Sequence, residues 1–158
     1  MQDRKKVTDY FRDKHIDQAF SSPFKRAMDT IQPVIDEKKL TLSSISDFRE
    51  RKIGDEWISN FHEYCERQWE DFDYKLRNGE SLKETQKRNV AALKLVLSKY
   101  QDQTMIIGGH GTAIGSVINY YDPSFKYEAF AMIQPKNPFI VKMSFDGEKY
   151  LEYKVVTF

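Results

Sequence analysis

An apolar run that ends in glycine and continues into a helix-forming segment constrains the fold more than any other feature of the chain. Residues 104–107 (Thr-Met-Ile-Ile) precede the segment Gly-Gly-His-Gly-Thr-Ala-Ile-Gly at 108–115, which holds four of the seven glycines. This pattern predicts a strand, a tight turn and a helix, as in open α/β sheets, which bind ligands where strands end. Exposed N–H groups of the helix favour an anion there. His110 lies at this point, either as a binding residue or as a structural histidine in a packed turn.

The composition indicates one ordinary soluble domain and excludes several classes of function. The 158 residues include 25 basic and 24 acidic side chains, and a net charge of +1 provides no overall field for nucleic acid or an acidic membrane. No apolar stretch reaches the roughly 20 residues that span a bilayer, and the first residues lack a signal-peptide core, so we expect a cytoplasmic protein. Cys65 is the only cysteine, which excludes an intrachain disulfide and a cysteine metal cluster.

The first half of the chain predicts helices that alternate with short strands. Apolar residues recur at helical spacing in residues 7–11, and residues 16–20 predict a strand. Leu40 and Leu42 alternate with polar neighbours and predict a second strand. The charged residues 47–54 predict a loop.

A helix is predicted between these two strands. Ser22 is expected to be its N-cap and Pro23 to lie in its first turn, where a missing N–H costs nothing. Its buried face is marked by four apolar residues: Ala27, Ile31, Val34 and Ile35. Pro33 falls inside this pattern and is expected to kink or shorten the helix, because proline removes a hydrogen bond and crowds the preceding turn.

The second half begins with an aromatic segment, residues 57–76. Its density of rings favours core packing, and the alternative is a cap whose aromatic walls contact an organic substrate group. Ser81 and Glu84 form a predicted capping box that opens the clearest helix of the chain. A pair of alternating segments near the C-terminus flanks Asp146-Gly147, which predicts a β-hairpin turn.

Four short motifs stand in the order typical of one enzyme family. They are SSPFKRA at residues 21–27, FRERKIG at 48–54, GESL at 79–82 and GHGT at 109–112. On these motifs the chain resembles the histidine phosphatase superfamily, which has a phosphoglycerate mutase-like fold, over nearly its whole length. The resemblance implies an α/β fold: a three-layer α/β/α sandwich with a mostly parallel sheet and a C-terminal hairpin. Residues 1–158 would then form a single domain, with an aromatic cap segment at about 55–78.

The resemblance also implies roles for individual residues. Arg26 would hold phosphate oxygens, because its planar guanidinium can bind two of them together. Glu50 would act as the general acid that protonates the leaving oxygen. His110 would donate a hydrogen bond to the phosphoryl group, and the adjacent Thr112 and Ala113 N–H groups would add to it. Gly111 and Thr112 would belong to the same phosphate-binding set as Arg26 and His110. The alternatives for Arg26 and Glu50 are ordinary solvated surface charges.

The front of the chain departs from the family pattern. Family members begin with a strand that ends in Arg-His-Gly, whose histidine attacks phosphorus, and this chain contains no such triplet. His15 lies before a predicted strand rather than after one, and His62 belongs to the aromatic segment, so neither is expected to replace the nucleophile. Two explanations remain: the chain is an N-terminally truncated form of an ordinary phosphatase, or it is a catalytically inactive phosphate-binding or regulatory relative.

The resemblance implies a phosphomonoester hydrolase that works through a phosphohistidine intermediate. The segment between Gly54 and Gly79 is shorter than the insertion of cofactor-dependent mutases, which favours a phosphatase. The expected partner is a small phosphorylated metabolite or inorganic phosphate, and no metal or cofactor is expected. Because the absent strand normally lies inside the family's sheet, its loss would leave unpaired strand edges, and we expect poor solubility, strand exchange or a homodimer.

Overall fold

The computed structural model describes residues 2–158, which form six α-helices and two β-sheets. The helices are α1 (Gln2–Phe11), α2 (Lys25–Lys38), α3 (Phe61–Glu70), α4 (Leu82–Lys99), α5 (Gly111–Tyr121) and α6 (Tyr127–Ile133). The strands are β1 (Gln18–Ser21), β2 (Leu42–Ser44), β3 (Met105–Gly108), β4 (Ile140–Asp146) and β5 (Lys149–Val156). No helix among the described residues is long and apolar enough to cross a lipid bilayer.

The central sheet is parallel and has the strand order β2-β1-β3. In its register Ser21 stands beside Ser44 on one side and beside Gly108 on the other, so all three strands end at the same edge. The strands β4 and β5 form a separate antiparallel hairpin. Both sheets agree with the sequence, which predicted a mostly parallel sheet and a C-terminal hairpin.

Alternate residues of β1 face opposite sides of the sheet, and each side is covered by helices. Ala19 packs in a core with Ile31 of α2 and with residues of α1. Phe20, the next residue, packs in a second core with Ala92 and Val96 of α4. Helices therefore cover both faces of the parallel sheet, and the predicted three-layer α/β/α architecture is confirmed.

The outer edge of β3 has no strand partner within residues 2–158. Its free N–H and C=O groups can pair with a strand of another chain, as such edges do in general. The expectation that an absent internal strand leaves strand edges unpaired stays a prediction. Strand exchange between two copies, or a homodimer formed in that way, stays a prediction.

The start of α2 differs from the sequence-based prediction. The helix begins at Lys25 with Phe24 as its N-cap, so Ser22 is not the cap and Pro23 is not in the first turn. The Ser22 hydroxyl instead accepts the N–H of Phe24, ahead of the helix, and lies beside the His110 ring. The helix also continues through Pro33 to Lys38, so Pro33 does not shorten it, and the alternative expectation of a kink stays a prediction.

The predicted capping box of α4 and the predicted C-terminal hairpin are both present. The capping box at the start of α4 is present, because Ser81 Oγ accepts the Glu84 N–H and the Glu84 carboxylate accepts the Ser81 N–H. The C-terminal hairpin turn lies one residue further along than predicted. Its strands pair up to Asp146 and Lys149, and Gly147 adopts a φ of 59°, which glycine adopts without strain.

The aromatic segment at residues 57–76 has a buried part and an exposed part. Tyr64 and Trp69 are buried, as the core-packing interpretation predicts, whereas Trp57 is almost fully exposed and Phe61 is half exposed. Trp69 stacks on a ring of α6 and lies so close to Gly115 of α5 that a Cβ there would stand 3.2 Å from the indole. The buried part therefore holds α5 in place, while a cap function for the exposed rings stays a prediction.

Gly79 marks a close approach between two loops. A Cβ at this position would lie 2.2 Å from the Ile53 carbonyl oxygen, and the backbones of Glu80 and Lys52 are hydrogen-bonded to each other next to it at 2.7 Å. No side chain fits there without separation of the loops.

We therefore expect Gly79→Ala to lower the free energy of unfolding by about 1–3 kcal/mol, the usual cost of overpacking. Gly54→Ala is the matched control, because its Cβ would meet nothing closer than 3.4 Å. It should change the free energy of unfolding by less than about 0.5 kcal/mol. Urea unfolding curves of the three proteins measure both effects, and equal stability of the two variants would contradict the close approach.

Candidate functional site

The candidate site lies at the edge where β1 and β3 end. His110 is the N-cap residue of α5, directly after β3, and Ser22 directly follows β1. The Nε2 atom of His110 is 2.8 Å from Ser22 Oγ, and this hydroxyl also accepts the Phe24 N–H at 3.2 Å. The Phe24 ring stands edge-on to the imidazole, with 5.3 Å between the centroids. Two loops that are far apart in sequence thus fix the position of the His110 ring.

His110 is held as a neutral imidazole. Its side chain is buried, with 7% of the residue exposed. Burial, together with the positive charges of Arg26 and Arg88, lowers the pKa of His110 to about 4. A neutral ring has one N–H donor and one acceptor nitrogen, so at neutral pH His110 can donate a hydrogen bond to an anion.

Arg26 stands in the first turns of α2 with its side chain exposed. Its guanidinium lies 5.0 Å from the centroid of the Phe24 ring, and no carboxylate within residues 2–158 forms an ion pair with it. Its charge nevertheless acts on His110. The structure therefore brings the predicted phosphate-binding pair, Arg26 and His110, to the same site and leaves the Arg26 fork free.

Glu50 reaches the same site from the loop after β2. Its carboxylate accepts hydrogen bonds from the Thr112 N–H at 3.1 Å and the Ala113 N–H at 3.0 Å, at the N-terminus of α5. It also accepts the Arg51 N–H at 3.0 Å. Glu50 occupies the Thr112 and Ala113 N–H groups in this structure, and their expected assistance to His110 with a phosphoryl group stays a prediction. The Gly111 N–H, at the first residue of α5, has no acceptor within residues 2–158.

A buried arginine lies behind Glu50. The guanidinium of Arg51 is 3.9 Å from the Glu50 carboxylate and donates a hydrogen bond to Cys65 Sγ at 3.3 Å. Burial raises the pKa of the Cys65 thiol, although the charge of Arg51 opposes this shift. Cys65 is therefore a thiol at neutral pH.

Three residues with a role at the site were missed by the sequence analysis. Ser22 was assigned to a helix cap rather than to His110. Arg88 of α4 and Glu80 form a hydrogen-bonded ion pair, with Arg88 Nε 2.8 Å from Glu80 Oε2, and together they contact the loop that carries Glu50. Glu80 belongs to the GESL motif, which is the one sequence feature that could have marked it as a residue of the site.

The other two histidines lie away from the strand ends. His15 is exposed and its Nε2 atom lies 2.6 Å from Asp17 Oδ1, before β1 begins. His62 is an exposed residue of α3 beside the Tyr127 hydroxyl. Neither histidine is hydrogen-bonded to Arg26 or His110.

Comparison with known proteins decides the family. The family description "Histidine phosphatase superfamily (branch 1)" matches residues 1–155. The chain belongs to the histidine phosphatase superfamily. No curated protein matches its sequence.

Solved structures share this fold at low sequence identity. Bacillus stearothermophilus YhfR has a TM-score of 0.73 at 16% identity, with 95% of this chain and 78% of that chain covered. The native mycobacterial glucosyl-3-phosphoglycerate phosphatase has a TM-score of 0.71 at 12% identity, with 99% and 83% covered. Mycobacterial hydrolase 2 has a TM-score of 0.66 at 16% identity, with 76% of this chain covered, and the chain spans 58% of its length.

The low pKa of His110 has a consequence for stability. An unfolded histidine titrates near 6.5, whereas folded His110 titrates at about 4, so the unfolded chain binds more protons between these values. This contribution is fully present above pH 6.5 and is lost as the pH falls toward 4. Between pH 7 and pH 5 it amounts to about 2 kcal/mol. Urea unfolding at both pH values should show a loss that is smaller by this amount in His110→Gln, and identical pH dependence in both proteins would refute the shift.

Proposed function

We propose that the site binds the phosphoryl group of a small phosphomonoester. The observation that supports this most directly is the pair of Arg26 and His110, an unpaired guanidinium beside a buried neutral imidazole at a helix N-terminus. Each supplies N–H donors, and the free Gly111 N–H adds a third kind of donor. Inorganic phosphate and VO3 are bound in structures of the related mycobacterial phosphatase, which supports a similar ligand here.

Each side chain has a separate task in this proposal. The Arg26 fork binds two phosphoryl oxygens together, and the His110 N–H donates to a third. Where an attacking group displaces the leaving oxygen from phosphorus, Glu50 in its carboxylic-acid form supplies the proton that this oxygen takes up. The three N–H donors around its carboxylate keep the side chain at one place, so that a leaving group on the phosphate would meet it there.

Hydrolysis of the family's type also requires a histidine that attacks phosphorus. His15 and His62 lie away from the strand ends, and His110 serves as a hydrogen-bond donor, so the proposal assigns no nucleophile among these 158 residues. The second candidate function, a binding or regulatory relative that holds phosphate without chemistry, is favoured by this observation. A phosphatase is preferred to a mutase because the segment between Gly54 and Gly79 is short.

Phosphate binding tests the proposal directly. Arg26→Ala should weaken the affinity for inorganic phosphate at least tenfold, because a charge-assisted hydrogen bond contributes about 1.5–3 kcal/mol. Lys25→Ala is the matched control, because Lys25 is the neighbouring residue in the same turn and already pairs with Asp29 at 2.5 Å. It should bind within about twofold of the unchanged chain. Calorimetric titration measures the phosphate affinity of both variants. An unchanged affinity in Arg26→Ala would refute the proposed phosphate-binding site.

Hydrolysis of p-nitrophenyl phosphate tests the role assigned to His110. The chain of these 158 residues should hydrolyse this ester no faster than its His110→Ala variant, because the proposal includes no attacking histidine. Release of p-nitrophenol is followed by absorbance at equal protein concentrations. Clear turnover that depends on His110 would overturn the assignment of His110 as a hydrogen-bond donor alone.

A further inference from the structure

The loop that carries Glu50 is held by one arginine of α4. The Nη1 atom of Arg88 donates to the carbonyl oxygens of Asp47 at 2.9 Å and Arg49 at 2.7 Å, and its Nη2 atom donates to the Glu50 carbonyl oxygen at 3.0 Å. Nε and Nη2 also donate to both carboxylate oxygens of Glu80, at 2.8 and 2.9 Å. All five N–H donors of a guanidinium are therefore used. A lysine ammonium has three donors and could not reproduce this set.

Glu80 extends the same contact to the other side of Glu50. Its carboxylate accepts the Lys52 N–H at 3.0 Å, and its own N–H donates to the Lys52 carbonyl oxygen at 2.7 Å. Burial opposes ionisation of Glu80, but the hydrogen bonds from Arg88 and Lys52 outweigh it and lower the pKa of the carboxyl. The ionised pair thus fixes the backbone at residues before and after Glu50.

The pair is not needed to form α4 itself. The helix has its own capping box, and its buried face packs through residues that do not include Arg88: Leu82, Val90, Ala92 and Val96. The Arg88 side chain instead donates its hydrogen bonds to Glu80 and to the loop that carries Glu50. Its loss should therefore affect the position of Glu50 more than the stability of the helix.

We propose that Arg88, together with Glu80, is the positioning residue that holds the Glu50 carboxylate on the N-terminus of α5. This inference rests on the proposed function for the role of Glu50 in proton transfer, but the position itself can be tested without catalysis. The reporters are the Thr112 and Ala113 amides, which donate to Glu50 at 3.1 and 3.0 Å. Without this acceptor both amides belong to the unsatisfied first turn of a helix.

Amide hydrogen exchange followed by NMR measures the position. In Arg88→Met the Thr112 and Ala113 amides should exchange at least tenfold faster, as in Glu50→Ala, and the double variant should show no further increase. The Ile114 amide is the internal control, because it donates to the His110 carbonyl oxygen at 2.9 Å and does not contact Glu50. Lys87→Met, at the exposed neighbouring residue of α4, is the control variant and should leave all three rates unchanged.

Several outcomes would overturn the proposal. They are unchanged exchange at Thr112 and Ala113 in Arg88→Met, acceleration that includes Ile114 equally, and additive effects in the double variant. If Arg88→Met does not fold, Arg88→Lys should still accelerate exchange of the two amides, and wild-type rates in that variant would also refute the proposal. Titration with inorganic phosphate is kept separate: its failure in the unchanged chain would refute the proposed function, whereas the exchange rates would still decide the role of Arg88.

Discussion

The hydrogen bonds from the N-terminus of α5 to the Glu50 carboxylate connect the two halves of the site. A helix N-terminus offers unsatisfied N–H groups and a partial positive charge, and an anion there is stabilised. In this protein part of that capacity is used by a side chain of the protein itself, at Thr112 and Ala113. A phosphoryl group in the same pocket must therefore rely on other donors, and Arg26, His110 and the Gly111 N–H are the groups available.

This division also explains the charges around the site. Glu50 brings a carboxylate next to the proposed place of an anion, and two like charges so close repel each other in a medium less polar than water. The positive charges of Arg26, Arg51 and Arg88 offset this repulsion, and those of Arg26 and Arg88 act with burial to keep His110 neutral. The neutral imidazole therefore contributes an N–H donor, and it stays uncharged throughout the neutral pH range.

The sequence predicted the elements whose signals are local. The strand, turn and helix around His110, the capping box at Ser81 and the hairpin all depend on residues within a few positions of one another. The prediction was wrong at Ser22, since its hydroxyl meets a histidine 88 positions away and no local pattern contains that contact. Arg88 was missed for a related reason. Its partners in the loop are carbonyl oxygens, which every residue has, so nothing in the amino-acid pattern marks them.

The site residues were likewise predictable only where a local motif marks them. Four motifs placed Arg26, Glu50 and His110 in one family, and the structure brings these three residues together, as the resemblance implied. The sequence could not predict which N–H groups of α5 bind the Glu50 carboxylate and which are left for a phosphoryl group. This depends on the path of the loop between β2 and α3. That path is set by Arg88, Glu80 and the close approach at Gly79, which act through the backbone.

The contact between Trp69 and Gly115 divides α3 into two parts with different tolerance for change. One side is pressed against α5 and cannot be altered without movement of the helix that presents the site. The other side, with Phe61 and His62, faces solvent. Substitutions on that outer side leave the contact with α5 intact, whereas substitutions on the inner side act directly on the helix that begins after His110.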